Sequence, residues 1–223
     1  MTTDIGKTLL IGASGGIGSA LVEALGEADL TTLSRSQDGL DLTDEASIRD
    51  AADRIEGPFE LILDVTGALE IDGQGPEKSL DDIDPEAMAR QFAVNTIGPA
   101  LLLKHFAPKL AREGRAVFAT LSARVGSIGD NRLGGWYGYR ASKAALNQIV
   151  RSASVEIARK RPEAIVLALH PGTVATPLTE KYLGRHPSVT PDEAARNLLK
   201  VIADRRPEDT GGFFAWDGSR IEW

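Results

Sequence analysis

The side chains of this 223-residue sequence best suited to chemistry are Tyr139 and Lys143. Four residues apart, they share one face of a helix, a single turn from each other. A phenol ordinarily gives up its proton only near pH ~10. An ammonium one turn away would stabilise the phenolate and lower that value, easing proton exchange at neutral pH. Such a pair suits carbonyl reduction, in which the oxygen must receive a proton, or the reverse oxidation of an alcohol. Tyr137 and Tyr182, the other two tyrosines, have no lysine four residues later.

A second constellation lies near the start of the chain. The apolar run Thr8 to Ile11 leads into Gly12-Ala13-Ser14-Gly15-Gly16-Ile17-Gly18, a G-x-x-x-G-x-G turn followed by a segment with helical spacing. A strand-to-helix turn of this kind needs a positive φ or a close backbone approach, and a Cβ would obstruct both. The amides that open the next helix are then free to hold a pyrophosphate. In a chain with 23 glycines the spacing alone says little; its position between a strand and a helix gives it weight. About twenty residues further on, where dinucleotide folds meet the adenosine ribose, the sequence reads Leu33-Ser34-Arg35-Ser36. No carboxylate stands at Ser34 to take a free 2′-hydroxyl, whereas the guanidinium fork of Arg35 suits a 2′-phosphate. The expected cofactor is NADP(H), in preference to NAD.

These residues need a scaffold, and the hydrophobic pattern supplies one. Thr8 to Ile11, Leu30 to Leu33, Leu61 to Val65, Ala116 to Leu121 and Ile165 to Leu169 are short apolar runs that read as buried strands. Between them, Ile17 to Leu25, Glu45 to Ile55, Pro85 to Arg112 and Tyr137 to Lys160 have helical spacing. Strands apolar on both faces, alternating with helices, predict a parallel sheet covered on both sides. Thr190 reads as the N-cap and Pro191 as the first residue of a further helix, and Gly212 to Trp216 as a last strand. The expected fold is α/β, a doubly wound parallel sheet of the Rossmann kind in a single domain spanning 1–223, with the active site in that same domain.

Composition narrows the function. With 42% apolar and 26% charged residues the chain is globular in character, and its net charge of −7 argues against a nucleic-acid binder. The absence of cysteine excludes disulfides, thiolate catalysis and cysteine-bound metals. His105, His170 and His186 share no metal-ligand spacing, so no metal site is expected. The acidic run Asp81-Asp82-Ile83-Asp84 reads as a helix start, where carboxylates belong. The N-terminus lacks the profile of a secretory signal and no apolar stretch is long enough to span a bilayer. A cytoplasmic protein without membrane contact is the expectation.

Taken together the sequence resembles the short-chain dehydrogenase/reductase family over nearly its full length. The resemblance implies an oxidoreductase acting on a small carbonyl or alcohol substrate. It further implies Asp41 and Leu42 against the adenine, and Val65-Thr66-Gly67-Ala68 in place of the family's N-N-A-G, with Thr66 and Gly67 at the cofactor. Asn95 would organise a proton relay through water and Lys143. Pro171, Gly172, Val174 and Thr176 would lie beside the nicotinamide, where Gly12, Ser14, Gly16, Ile17 and Gly18 already hold the phosphates. Arg124-Val125-Gly126-Ser127, Gly134-Gly135-Trp136-Tyr137 and Trp216-Asp217-Gly218 look like the C-factor/sniffer-type carbonyl reductase branch. The helices at Pro85–Arg112 and Tyr137–Lys160 resemble those the family uses to form dimers, so a homodimer or homotetramer is implied.

One departure matters. The family's catalytic serine stands three residues before a glycine, and counting back from Gly126 gives Ala123. Ser122 is its neighbour, and neighbouring side chains on a strand face opposite ways. Ser122 therefore serves only if the strand end turns locally. Ser127, in a glycine-rich loop, is the alternative and is suited to satisfying loop backbone groups. The missing serine keeps open a nucleotide-binding regulator without turnover. Epimerase or dehydratase chemistry on a nucleotide sugar ranks last, because about fifty residues follow Gly172. Trp136, Trp216 and Trp223 are candidates for a substrate pocket, at least one of them for core or subunit contact.

Overall fold

A computed structural model describes residues 6–26, 29–182, 184 and 187–223. The N-terminal residues read against a secretory signal, and His186, lie largely or wholly outside the described residues.

Six strands form one parallel sheet: β1 (Thr8–Ile11), β2 (Leu30–Leu33), β3 (Leu61–Asp64), β4 (Ala116–Leu121), β5 (Ala164–His170) and β6 (Phe213–Ala215), in the order β2-β1-β3-β4-β5-β6. Residues β-branched or aliphatic at nearly every position can be buried on both faces, and β1, β3 and β4 are buried throughout. Odd and even positions divide between two cores. Leu9, Ile11, Phe118 and Val166 pack beneath α3 (Glu45–Arg54), α5 (Gly98–Phe106) and α6 (Tyr137–Ala158). Leu10, Leu63, Ala119 and Leu167 pack beneath α1 (Gly16–Leu25) and α7 (Pro191–Ala203). Thus the doubly wound sheet expected from the pattern is the fold found. The winding reverses between β1 and β3, and the C-terminal ends of those strands open the crevice in which such sheets bind ligands.

Helix ends follow local chemistry. Thr190 Oγ1 accepts from Glu193 N at 3.2 Å and Pro191 opens α7, as the sequence predicts. A short α2 (Arg35–Asp38) was not legible as a helix; Ser34 Oγ accepts from Gln37 N at 3.2 Å and Gly39 closes it with φ +70°. The segment expected as one helix from Pro85 to Arg112 is divided. It runs as α4 (Pro85–Phe92), a π turn over Ala93–Ile97, α5, and a 3-10 turn at Ala107–Lys109. Pro99 has no N–H to give to the carbonyl of Asn95, so α-helical pairing cannot continue there. The wider turn takes over, and the Gly98 N–H reaches back to Ala93 O.

Candidate active site

Four elements converge at the C-terminal edge of the sheet. The first is the β1–α1 turn. Gly12 has φ +97°, and a Cβ there would crowd Thr66 Cγ2 and the Val65 carbonyl carbon, both at 3.1 Å. A Cβ on Gly18 would collide with the Gly12 carbonyl. The turn thus folds tightly enough to expose Ser14, Gly15 and Gly16, and Gly15 caps α1 with no side chain over its amides. Ile17 is half-buried against the core behind them. This cradle of uncovered amides at the start of a ten-residue helix fits a pyrophosphate. Thr176 reaches the same place from the far side of the crevice: its Cγ2 is 2.7 Å from where a Gly16 Cβ would stand.

At the end of β2, Ser34 is buried and Arg35 exposed. Asp38 Oδ2 accepts the Ser34 N–H at 2.7 Å, so a carboxylate does stand near this edge, although on α2 and held by backbone. Asp41 is also tied up locally, its Oδ1 accepting from Thr43 N at 2.8 Å and Thr43 Oγ1 at 2.7 Å. Those bonds hold its carboxyl below the usual range, with Arg35 a smaller contributor. Leu42 packs against Gly98, where a Cβ would stand 2.9 Å from its own.

The third element is the stretch after β3. Gly67, at φ +144°, lies beside both Asn95 Oδ1 and Lys143 Nζ, each 3.2 Å from a Cβ built on it. Asn95 is buried in the π turn. Its Oδ1 accepts Ala68 N at 2.9 Å and its Nδ2 donates to Ala68 O at 2.8 Å and Gln91 Oε1 at 2.6 Å. On the fourth element, α6, Lys143 is 3% exposed and donates to Leu121 O at 3.0 Å. The structure therefore gathers Lys143, Asn95, Thr66 and Gly67 around one point. Tyr139 sits one turn before Lys143, near the start of α6.

The electrostatics differ from the expectation in one respect. Burial pushes the Tyr139 phenol up to about 12, whereas proximity to Lys143 was expected to lower it. Burial also takes Lys143 down to about 8, with Asp64 acting in the opposite direction. With its Nζ turned to Leu121 O, the ammonium does not offset the desolvation of the phenol.

The serines are placed as follows. Thr120 and Ser122 keep the strand alternation and face α6; Ser122, 4% exposed, donates its hydroxyl to Asn147 Oδ1 at 2.6 Å. Ala123 is extended at the strand's end, and Ser127 Oγ accepts Asp130 N at 3.1 Å. In the segment after β5, Gly172 has φ +81° and packs on Trp216, while Val174 is buried and pairs with Val189. Pro171 lies between Gly172 and His170, whose Nδ1 is buried without a partner among the described residues. Trp136 is in contact with Tyr139, ring centroids 6.1 Å apart, and with Tyr182 at 5.2 Å. With Tyr182, Gln74, Glu77 and Gln91 it lines a cavity of about 830 Å³.

Two residues that matter here escaped the sequence reading. Asp64 was detectable as a lone acid at the end of the apolar run Leu61-Ile62-Leu63. Glu77 gave no signal: its carboxylate caps α6 across 61 residues, accepting Gly138 N at 3.0 and 3.1 Å.

A sheet wound in this order, a glycine cradle at its switch point and a tyrosine–lysine helix beside it define a short-chain dehydrogenase/reductase, and the chain belongs to that family of oxidoreductases. Residues 19–216 match the family described as Enoyl-(Acyl carrier protein) reductase. The chain is 35% identical over 188 residues to 1-hydroxy-2-glutathionyl-2-methyl-3-butene dehydrogenase of Rhodococcus sp. (strain AD45), covering 83% of this chain and 79% of the relative. It is 34% identical over 168 residues to C-signal of Myxococcus xanthus, covering 75% and 94%. Among solved structures it is similar to carbonyl reductase Sniffer of D. melanogaster, with a TM-score of 0.82 and 21% identity over 98% of this chain and 100% of that one. The NADPH-bound carbonyl reductase from chicken fatty liver gives a TM-score of 0.82 and 26% identity over 98% and 95%. C-signal stands for the branch named from sequence by its own identity, whereas the likeness to Sniffer is one of fold. Among the described residues no helix is long and apolar enough to cross a membrane.

Proposed function

We propose that the protein is an NADP(H)-dependent carbonyl reductase or alcohol dehydrogenase, its whole length of 1–223 working as one domain. The observation that carries this reading is the placing of Lys143 Nζ beside Gly67 and Asn95, one helical turn from Tyr139. The NADPH held by the chicken-liver relative supports the choice of cofactor. In this reading the amides around Ser14–Gly18 hold the pyrophosphate, Arg35 the 2′-phosphate, and Asp41 and Leu42 border the adenine. Thr66, Gly67, Pro171, Gly172, Val174 and Thr176 enclose the nicotinamide half. When bound, the nicotinamide supplies or accepts the hydride at the carbonyl carbon.

The chain's own residues manage the proton. Tyr139 keeps its proton at neutral pH and delivers it from Oη to the carbonyl oxygen as that oxygen gains charge. Lys143 would hold the cofactor ribose, which requires its ammonium to leave Leu121 O. Asn95 holds the water through which Tyr139 is reprotonated. Ser122 is the proposed carbonyl donor, which requires its hydroxyl to exchange Asn147 for substrate. For the assembly, we propose a homodimer or homotetramer built on the outer faces of α5 and α6, where Leu103, Ala107, Ile149, Ala153 and Ile157 line a shallow groove.

The test is a panel of ketones and aldehydes with NADPH, followed by loss of nicotinamide absorbance. Turnover is expected with at least one, and Tyr139→Phe should lower it by roughly 10²–10⁴ without weakening NADPH binding. NADPH binding without turnover on any carbonyl would favour the regulator instead, and an unaltered rate in Tyr139→Phe would remove that residue from the chemistry.

A further inference from the structure

Beneath Lys143 lies a carboxylate for which the reaction above has no use. Asp64 ends β3, is fully buried, and stands on the sheet face that packs against α6. Its Oδ1 accepts from Thr66 N at 2.9 Å and Thr66 Oγ1 at 2.5 Å, and its Oδ2 accepts from Thr120 Oγ1 at 2.6 Å. Burial raises the carboxyl's affinity for its proton; the three donors and the charge of Lys143 pull the other way and favour the ionised form. The cation that acts on Asp64 is Lys143, and the carboxylate that acts on Lys143 is Asp64. The two are joined by no hydrogen bond; Lys143 Nζ rests on Leu121 O, beside Thr120, and close to Gly67, three residues beyond Asp64.

The other groups around this point are neutral: Asn95 from the π turn, Thr66 from the β3 loop, Thr120 from β4, and Tyr139 from α6. An asparagine at position 64 could satisfy the same threonines, accepting from Thr66 and donating to Thr120. What the acid adds to the hydrogen bonding is its negative charge.

We propose that Asp64 is a positioning residue for the proton-delivery pair, a buried counter-charge that keeps the Lys143 ammonium protonated and in place. The inference rests on the assignment of Tyr139 and Lys143 above. An ammonium taken from water prefers to lose its proton, and an opposite charge in the same low-dielectric region counters that preference. Lys143 is held to about 8 with Asp64 present. Removing the charge takes it lower still, toward a neutral amine at physiological pH.

The experiment compares wild type with Asp64→Asn. It follows kcat/KM for NADPH-dependent reduction across pH, and separately the NMR titration of the Lys143 side chain, assigned with Lys143→Arg. The expected result is an alkaline midpoint lowered by about one pH unit, a tenfold change in proton affinity, with the Lys143 signal moving equally. NADPH affinity at pH 6, where both proteins carry the ammonium, should match. An unmoved Lys143 titration, or a loss of rate equal at every pH, would overturn the inference. If wild type reduces no carbonyl, the functional reading fails, and the NMR titration still decides the role of Asp64. Should Asp64→Asn not fold, Thr120→Val pushes Asp64 toward its neutral form and must move the Lys143 titration the same way by less; no movement rejects the proposal.

Discussion

The residue most exposed to test is Ser122. Its hydroxyl is already donated to Asn147, and Ser127 is engaged with the Asp130 amide. A donor aimed at a developing oxyanion is worth on the order of 10²–10³ in turnover. Ser122→Ala should therefore be severely slowed and Ser127→Ala should stay near wild type. The opposite ranking would assign the role to Ser127, and two near-normal variants would leave Tyr139 to polarise the carbonyl alone. Arg35 invites a parallel comparison. Losing a charge-assisted contact costs about 1.5–3 kcal/mol, or roughly ten- to hundredfold in affinity. Titrating NADPH and NADH against wild type and Arg35→Ala should show the preference for NADPH collapse. An unchanged preference would mean that the specificity lies elsewhere.

At the scale of elements, α6 depends on a cap that lies far away in sequence. The chain enters the helix through Gly134, Gly135 and Trp136, all with positive φ, a conformation that costs a non-glycine residue roughly 1–2 kcal/mol. Glu77 helps hold it there, its carbonyl accepting the Trp136 N–H and its carboxylate the Gly138 N–H. A carboxylate at a helix N-terminus also complements the dipole. Glu77→Ala should cost about 1 kcal/mol in urea unfolding and lower kcat by loosening Tyr139, with Glu77→Gln recovering most of the stability. Equal stability in wild type and Glu77→Ala would show that the turn holds itself. This element also marks the limit of reading from sequence. The strand Leu61–Asp64 announces itself by the apolar run Leu61-Ile62-Leu63, and Tyr139 and Lys143 by helical spacing. Glu77 does not, because its partner is brought near only by tertiary folding. The π turn at Asn95 stands between these cases: Pro99 was visible, and an interrupted helix could have been inferred from its missing N–H. Position 64 is different again: an acid at the end of an apolar run is visible in the sequence, but its neighbours Thr120 and Lys143 are brought to it only by the fold.

For the whole molecule, the pH dependence of stability follows from groups held neutral by the fold. Burial takes His170 from 6.5 to about 4, with Arg124 adding to the effect and Asp217 opposing it. Between those values the unfolded chain binds a proton there that the folded chain does not, so stability is present above pH 6.5 and is lost as pH falls toward 4. Replacing His170 with Gln removes that contribution. The fall in Tm between pH 7 and pH 5 should be smaller in His170→Gln than in wild type. Parallel curves for the two proteins would mean that His170 is protonated in the folded state as readily as in the unfolded one.

The aromatic side chains around the crevice have a use beyond shape. Trp136 touches Tyr139 and Tyr182, Trp216 lies on Gly172, and Trp223 stacks on Phe213 at 5.7 Å. Two of the three indoles thus border the place assigned to the nicotinamide. Reduced nicotinamide absorbs where indoles emit, so excitation of the protein would pass to the cofactor as it arrives. The fold would thus carry its own unlabelled optical gauge for cofactor entry.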